Sequence, residues 1–159
     1  MLTRLIYASE TTEALSPAAV QHIVDRARAN NTRLHLSGLL LFDSRSFLQV
    51  LEGQRAAVSA LFGRIATDPR HRRIELLEVT PVHERRFARW SMGFAPADAA
   101  HAELFLRFGG TPAFNPYAMC AAGALGLLEC VGASQATALS LPQAARVDVP
   151  GAAPRSAVQ

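Results

Sequence analysis

The sequence predicts an α+β fold: one antiparallel-rich sheet with two helices on one face and a C-terminal helical pair on the other. Three observations predict it. Short apolar runs of strand character alternate with two segments of helical periodicity, in the order β-α-β-β-α-β. A turn-rich DSRS joins two of those runs directly, as a hairpin. Beyond a fifth short run lie apolar segments of helical spacing, enough to cover a second sheet face.

TRLIYAS (3–9) alternates and reads as the first strand. SPAAVQHIVDRARANN (16–31) opens with Ser16 as N-cap and Pro17 at the first helical position. Its apolar residues Val20, Ile23, Val24 and Ala27 recur at helical spacing, and the helix is expected to end near the Asn pair. LHLSGLLLF (34–42) and SFLQVLEG (46–53) flank DSRS as the hairpin strands. QRAAVSALFGRIATD (54–68) carries Val58, Leu61, Phe62 and Ile65 on one helical face, and Asp68-Pro69 stops it. IELLEVTPV (74–82) is the fourth strand and ARWSMGF (88–94) the fifth. This order is the ferredoxin-like split βαβ pattern with one strand added. HAELFLRF (101–108) and FNPYAMCAAGALGLLECV (114–131) supply the two further helices. The expected division is a domain at 1–95, a helical extension at 96–132 and a disordered tail at 133–159, where Ala, Ser, Pro and Gln dominate.

Half of the 159 residues are apolar, which suits one domain with a real core. Net charge is +3 and no lysine is present. That absence removes Schiff-base chemistry, a Lys general base and a Gly-rich phosphate loop ending in Lys. The arginines at 70, 72, 73, 85, 86 and 89 are interleaved with Asp68, Glu75, Glu78 and Glu84. This reads as a solvated face, with single arginines left to bind something; it is a weak argument for nucleic acid, and no nucleic-acid partner is expected. Cys120 and Cys130 fall in one helix-like stretch, where ten residues rise about 15 Å, too far for a disulfide. They are expected to be free, buried thiols of a reducing cytosol, and without nearby His they form no zinc site. The first residues, MLTRLIYASE, go straight into a strand, so no signal peptide is expected. AMCAAGALGLL (118–128) is short of the roughly 20 residues a bilayer needs, so a cytoplasmic protein away from membranes is expected.

A ferredoxin-like fold names no function, so the argument passes to polar residues inside apolar elements. Gln49 lies mid-strand, on the face of Phe47 and Leu51. A buried amide there must find partners or cost roughly 1–3 kcal/mol. Tyr7 shares a face with Leu5 on the first strand, Asn30 and Asn31 end the first helix, and Trp90 and Met92 lie two apart on the fifth strand, hence on one face. Taken singly, each has an ordinary reading: a core tyrosine, a helix C-cap, two core residues.

Together they match something more specific. TRLIYAS with Tyr7, then NNTRLHLSGLLLFDSRSFLQVLEG, then DPRHRR and ERRFARWSMGF recur in order over residues 2–95. This resembles the BLUF family of blue-light sensors that bind flavin, in its short stand-alone type. His35 stands where the family usually has glycine, and Ser37 where it often has threonine.

The resemblance implies a noncovalent FAD whose ring sits between the two helices, over the sheet. It implies that Tyr7 is the photochemical electron and proton donor. Gln49 would bridge the Tyr7 hydroxyl and the flavin N5/O4 edge, Asn31 would hold O4 and N3, and Asn30 would lie along the ring. Arg70 and His71 would approach the O2 side or the ribityl phosphate. Trp90 and Met92 would exchange position near Gln49, with Ser9 as a partner of that pair. The chemistry of these side chains fits. A flavin has a flat apolar body and a polar edge, and amides meet such an edge without a buried charge. FMN or riboflavin would meet the same groups.

The implied protein is a sensor rather than an enzyme, a homo-oligomer acting on an unidentified downstream protein. The fold admits two other readings. An acylphosphatase-like enzyme could recruit Arg70 or Asn31, but no Gly-rich anion loop follows the first strand. An RNA-recognition module needs an aromatic signature that LLLFDSR and SFLQVLEG lack.

Overall fold

A computed structural model of the chain describes residues 1–140, with side chains through 136. The elements are β1 (Leu2–Thr11), α1 (Pro17–Arg33), β2 (Ser37–Phe42), β3 (Ser46–Gln54), α2 (Arg55–Ala66), β4 (His71–Val82), β5 (Gly93–Pro96), α3 (Ala102–Gly109) and α4 (Ala121–Ser140). The five strands form one sheet in the order β4-β1-β3-β2-β5. The first four pair antiparallel, and β5 adds to β2 in parallel. This is the expected ferredoxin-like sheet with its extra strand.

Both sheet faces are covered, which explains why GLLLF runs apolar without alternation. On one face Leu5, Tyr7, Leu40, Phe42, Phe47, Leu51 and Met92 pack with Val20 and Val24 of α1 and Val58 of α2. On the other, Ile6, Leu39, Leu41, Leu48 and Val50 pack under Phe87, Phe105 of α3, and Ala124, Leu127, Leu128 and Val131 of α4. The site is built on the first face.

Local chemistry sets most boundaries. Ser16 Oγ accepts from Ala19 N at 3.1 Å, and Pro17 opens α1 as expected. α1 ends at Arg33, and His35 then takes a left-handed φ of 52° before β2 begins. That conformation is why glycine suits this position. Gly38 is held to a hydrogen side chain by contact, since a Cβ there would lie 2.1 Å from the Val50 carbonyl oxygen.

Three expectations are corrected. The fifth strand covers Gly93–Pro96, not 88–94. Residues 88–92 turn instead: Trp90 N donates to the Phe87 carbonyl at 3.3 Å, and Gly38 N reaches back to the Trp90 carbonyl at 3.1 Å. The last helix begins at Ala121, because Asn115 and Pro116 first close a separate 3₁₀ turn. Cys120 is therefore exposed rather than buried, and both cysteines are free. Finally, α4 continues through 133–140, a segment expected to be disordered. The rest of the expected tail, 141–159, lies outside the described residues.

Candidate functional site

Tyr7 and Gln49 are cross-strand neighbours at the centre of the sheet, and Leu40 of β2 lies on Gln49's other side. The Tyr7 hydroxyl donates to Gln49 Oε1, and both side chains are buried. Gln49 Nε2 donates to the Met92 sulfur at 3.4 Å. Thioether sulfur is a weak acceptor, so the amide keeps hydrogen-bonding capacity. Phe62 of α2 meets the Tyr7 ring edge-on, with centroids 5.5 Å apart.

This pair closes one end of a cavity of about 260 Å³ between α1 and α2. Ile23 and Ala27 of α1 and Leu61 and Ile65 of α2 give it apolar walls. Asn31 lies at its inner end, buried, and Asn30 lines it from the exposed side. Asn31 Nδ2 donates to the Ser91 carbonyl at 2.7 Å, while its Oδ1 is buried without a partner among the described residues. Such an orphan acceptor is costly unless a donor meets it. A flat apolar body with donors and acceptors along one edge fits this arrangement.

Charge is confined to the rim. Arg70 Nη2 donates to Asp68 Oδ2 at 2.6 Å and its Nε to Oδ1 at 3.0 Å. That pairing holds the Asp68 carboxyl down at about 2 and raises Arg70. Burial lowers the His71 imidazole, whose Nδ1 shares a 2.8 Å hydrogen bond with Ser9 Oγ. Burial, seconded by the Asp68 charge, raises the Tyr7 phenol. Tyr7 thus carries its proton throughout the ordinary pH range.

The structure gathers Tyr7, Asn30, Asn31, Gln49, Arg70, His71 and Met92 around one cavity. It separates Trp90 from Met92. Met92 belongs to the cluster on the cavity face, whereas Trp90 packs into the opposite one, its ring against Gly93 and Gly132 of α4. Alternation fails because the segment is a turn. Ser9 is also placed differently: it sits on β1 beside His71 of β4, on the side of the sheet away from β5.

Four cavity or support residues escaped the sequence reading. Arg26 and Arg64 line the cavity with Asp68, and Arg28 Nε donates to the Met92 carbonyl at 2.9 Å. Spacing held a signal for two of them, since Arg26 precedes Asn30 by four residues and Arg64 precedes Asp68 by four.

The chain is similar to known proteins in sequence and in fold. The family model described as "Sensors of blue-light using FAD" matches residues 2–93. A photoactivated adenylate cyclase subunit beta of Euglena longa is 34% identical over 92 residues, 57% of this chain; the chain spans 11% of that relative's length. The solved structure of BlsA in its photo-activated state aligns with a TM-score of 0.75 at 30% identity, covering 83% of this chain and 95% of that one. The dark-state structure of BlrB, a BLUF protein, aligns with a TM-score of 0.62 at 35% identity, covering 67% of this chain and 82% of that one. With a family model matched over more than half its length, the chain belongs to the BLUF family of blue-light sensors.

Proposed function

We propose that the chain binds FAD noncovalently between α1 and α2 and uses Tyr7 and Gln49 as a light-driven hydrogen-bond switch that changes its contacts with a partner protein. One observation carries this reading: the buried Tyr7–Gln49 hydrogen bond lies at a cavity with apolar walls that Asn31, whose buried Oδ1 has no partner among the described residues, also lines. The family description names the cofactor as FAD. Asn31 Oδ1 and the unused capacity of Gln49 would hold its polar edge, and Arg26, Arg64 and Arg70 suit its phosphates. FAD, when bound, supplies light absorption and a strong excited-state oxidant.

The chain's own residues do the rest. Tyr7 gives up an electron and the proton on its hydroxyl, and takes both back, so no net chemistry remains. While Tyr7 is oxidised its hydroxyl no longer donates, and Gln49 is free to turn its amide. An amide presents a donor at one end and an acceptor at the other, so the turn swaps what the cavity edge meets. Gln49 Nε2 then leaves the Met92 sulfur. Met92 is tied through its carbonyl to Arg28, and Trp90, two residues before it, rests on α4. Arg86–Glu129 and a hydrogen bond from Gln135 Nε2 to the Phe94 carbonyl join the same segment to α4. The light signal leaves through that helix as a shift in population.

The test is an absorption spectrum of the FAD-loaded protein before and after blue light, followed in the dark. A small red shift that recovers is expected. Tyr7→Phe keeps FAD bound and abolishes the shift; a normal photocycle in that variant would defeat the assignment.

A further inference from the structure

Glu52 is fully buried on the face of the sheet turned away from the cavity. A carboxylate in such a place is costly and is found there only with strong partners. Its Oε2 accepts from Phe87 N at 2.9 Å, while Oε1 lies 3.9 Å from Arg4 Nη1 and meets no hydrogen-bond partner among the described residues. Burial raises its pKa. Arg4 is itself committed to Glu78 at 2.8 Å. No part of the proposed photochemistry touches Glu52.

Its neighbours show what it holds. Arg4, Glu52 and Ser37 form one row across β1, β3 and β2. Arg85 reaches this row, donating to Ser37 Oγ at 3.3 Å and to the His35 carbonyl at 2.6 Å. Phe87, next but one, is buried and bonded to Glu52. From Phe87 the chain turns through the Trp90–Phe87 bond and reaches Ser91 and Met92. Ser91 presents its carbonyl to Asn31, and Met92 its sulfur to Gln49. The segment is thus pinned at its root by Glu52 and at its far end by the cavity's two buried amides.

We propose that Glu52 is a positioning residue for the light switch: through Phe87 N it sets where residues 87–92 lie, and with them the Met92 sulfur against Gln49. This rests on the Tyr7–Gln49 reading given above. Two substitutions isolate the bond. Glu52→Gln keeps an acceptor at the same reach and removes the charge. Glu52→Asp keeps the carboxylate and withdraws it by about one bond length, about 1.5 Å, out of reach of Phe87 N.

The readout is the dark-recovery rate of each FAD-loaded full-length chain after a blue flash. Glu52→Asp is expected to change that rate by roughly tenfold, the equivalent of one lost charge-assisted hydrogen bond. Glu52→Gln is expected to stay within about twofold of wild type, as an acceptor bond is retained. Recovery in Glu52→Asp within twofold of wild type would overturn the proposal. So would an effect of Glu52→Gln larger than that of Glu52→Asp, which would point to charge rather than reach, equal effects from both, which would point to a general loss of packing, or a Glu52→Asp chain that does not fold. A wild-type protein without a red shift would instead sink the switch itself, so the two failures are told apart.

Discussion

Gln49 is an amide in the middle of a central strand, and its two partners account for it: a phenol that donates and a sulfur that accepts weakly. Gln49→Leu leaves the Tyr7 hydroxyl buried without its acceptor, at about 1–3 kcal/mol. The new side chain still suits Leu40, Phe47 and Leu51 around it. FAD retention with loss of the red shift is expected, checked by the light-minus-dark spectrum. Two rim residues set a pH dependence as well. His71 is lowered below its ordinary 6.5 by burial, so the unfolded chain takes up a proton that the folded chain resists. Stability is therefore full above about pH 6.5 and declines below it. Asp68 is lowered from 3.8 to about 2 by Arg70, so its contribution is present above 3.8 and is lost as pH falls toward 2. Both partners of that ion pair are partly exposed, which keeps the second loss small. Thermal melts from pH 8 to pH 3 should show both declines, and Asp68→Asn should remove the lower one and deepen the upper, since the Asp68 charge opposes the lowering of His71.

Among the elements, α1 holds the site-bearing segment from the cavity side and α4 holds it from the opposite face. Trp90 is the only tryptophan, and its ring lies where a Cβ on Gly132 would come within 3.2 Å. Gly132→Val therefore forces the ring off α4, at a cost typical of overpacking, about 1–3 kcal/mol. Tryptophan emission should move to longer wavelength as the ring meets water; an unchanged spectrum would mean that the ring does not rest there. This contact also shows the limit of periodicity. The hairpin, α1, α2 and the central strands were legible because each signals itself locally, through spacing, Ser16-Pro17 or Asp68-Pro69. ARWSMGF alternates just as well, yet it turns, because its carbonyls are taken by Asn31 and Arg28, 60 and 64 residues away. Nothing local encodes those bonds. The same contrast divides the site. Tyr7 and Gln49 stood out as polar residues on apolar strands, whereas Arg26 and Arg64 are exposed helix arginines, indistinguishable in sequence from a solvated face.

At the scale of the molecule, the described residues form a sheet between two helical layers, and the layers carry different duties. The α1/α2 layer lies within the family segment, residues 2–93. The α3/α4 layer lies beyond it, yet it completes a core that begins in β1, β2 and β3. Leu127, Leu128 and Val131 are fully buried against that sheet face, and each contributes roughly 1.5–3 kcal/mol by leaving water. Against the usual total stability of about 5–15 kcal/mol, removing the layer is not a small change. A chain cut after Pro96 would keep every residue assigned to the cavity and expose Ile6, Leu39, Leu41, Leu48 and Val50 together. A patch of that kind drives association. The truncated chain is expected to aggregate or self-associate in size-exclusion chromatography, while the full chain does so less. If residues 1–96 instead ran as a soluble monomer that still bound FAD, the helices would be dispensable to the fold. α4 would then be held mainly by Arg86, Trp90 and the β5 edge, the very segment that the switch is proposed to move.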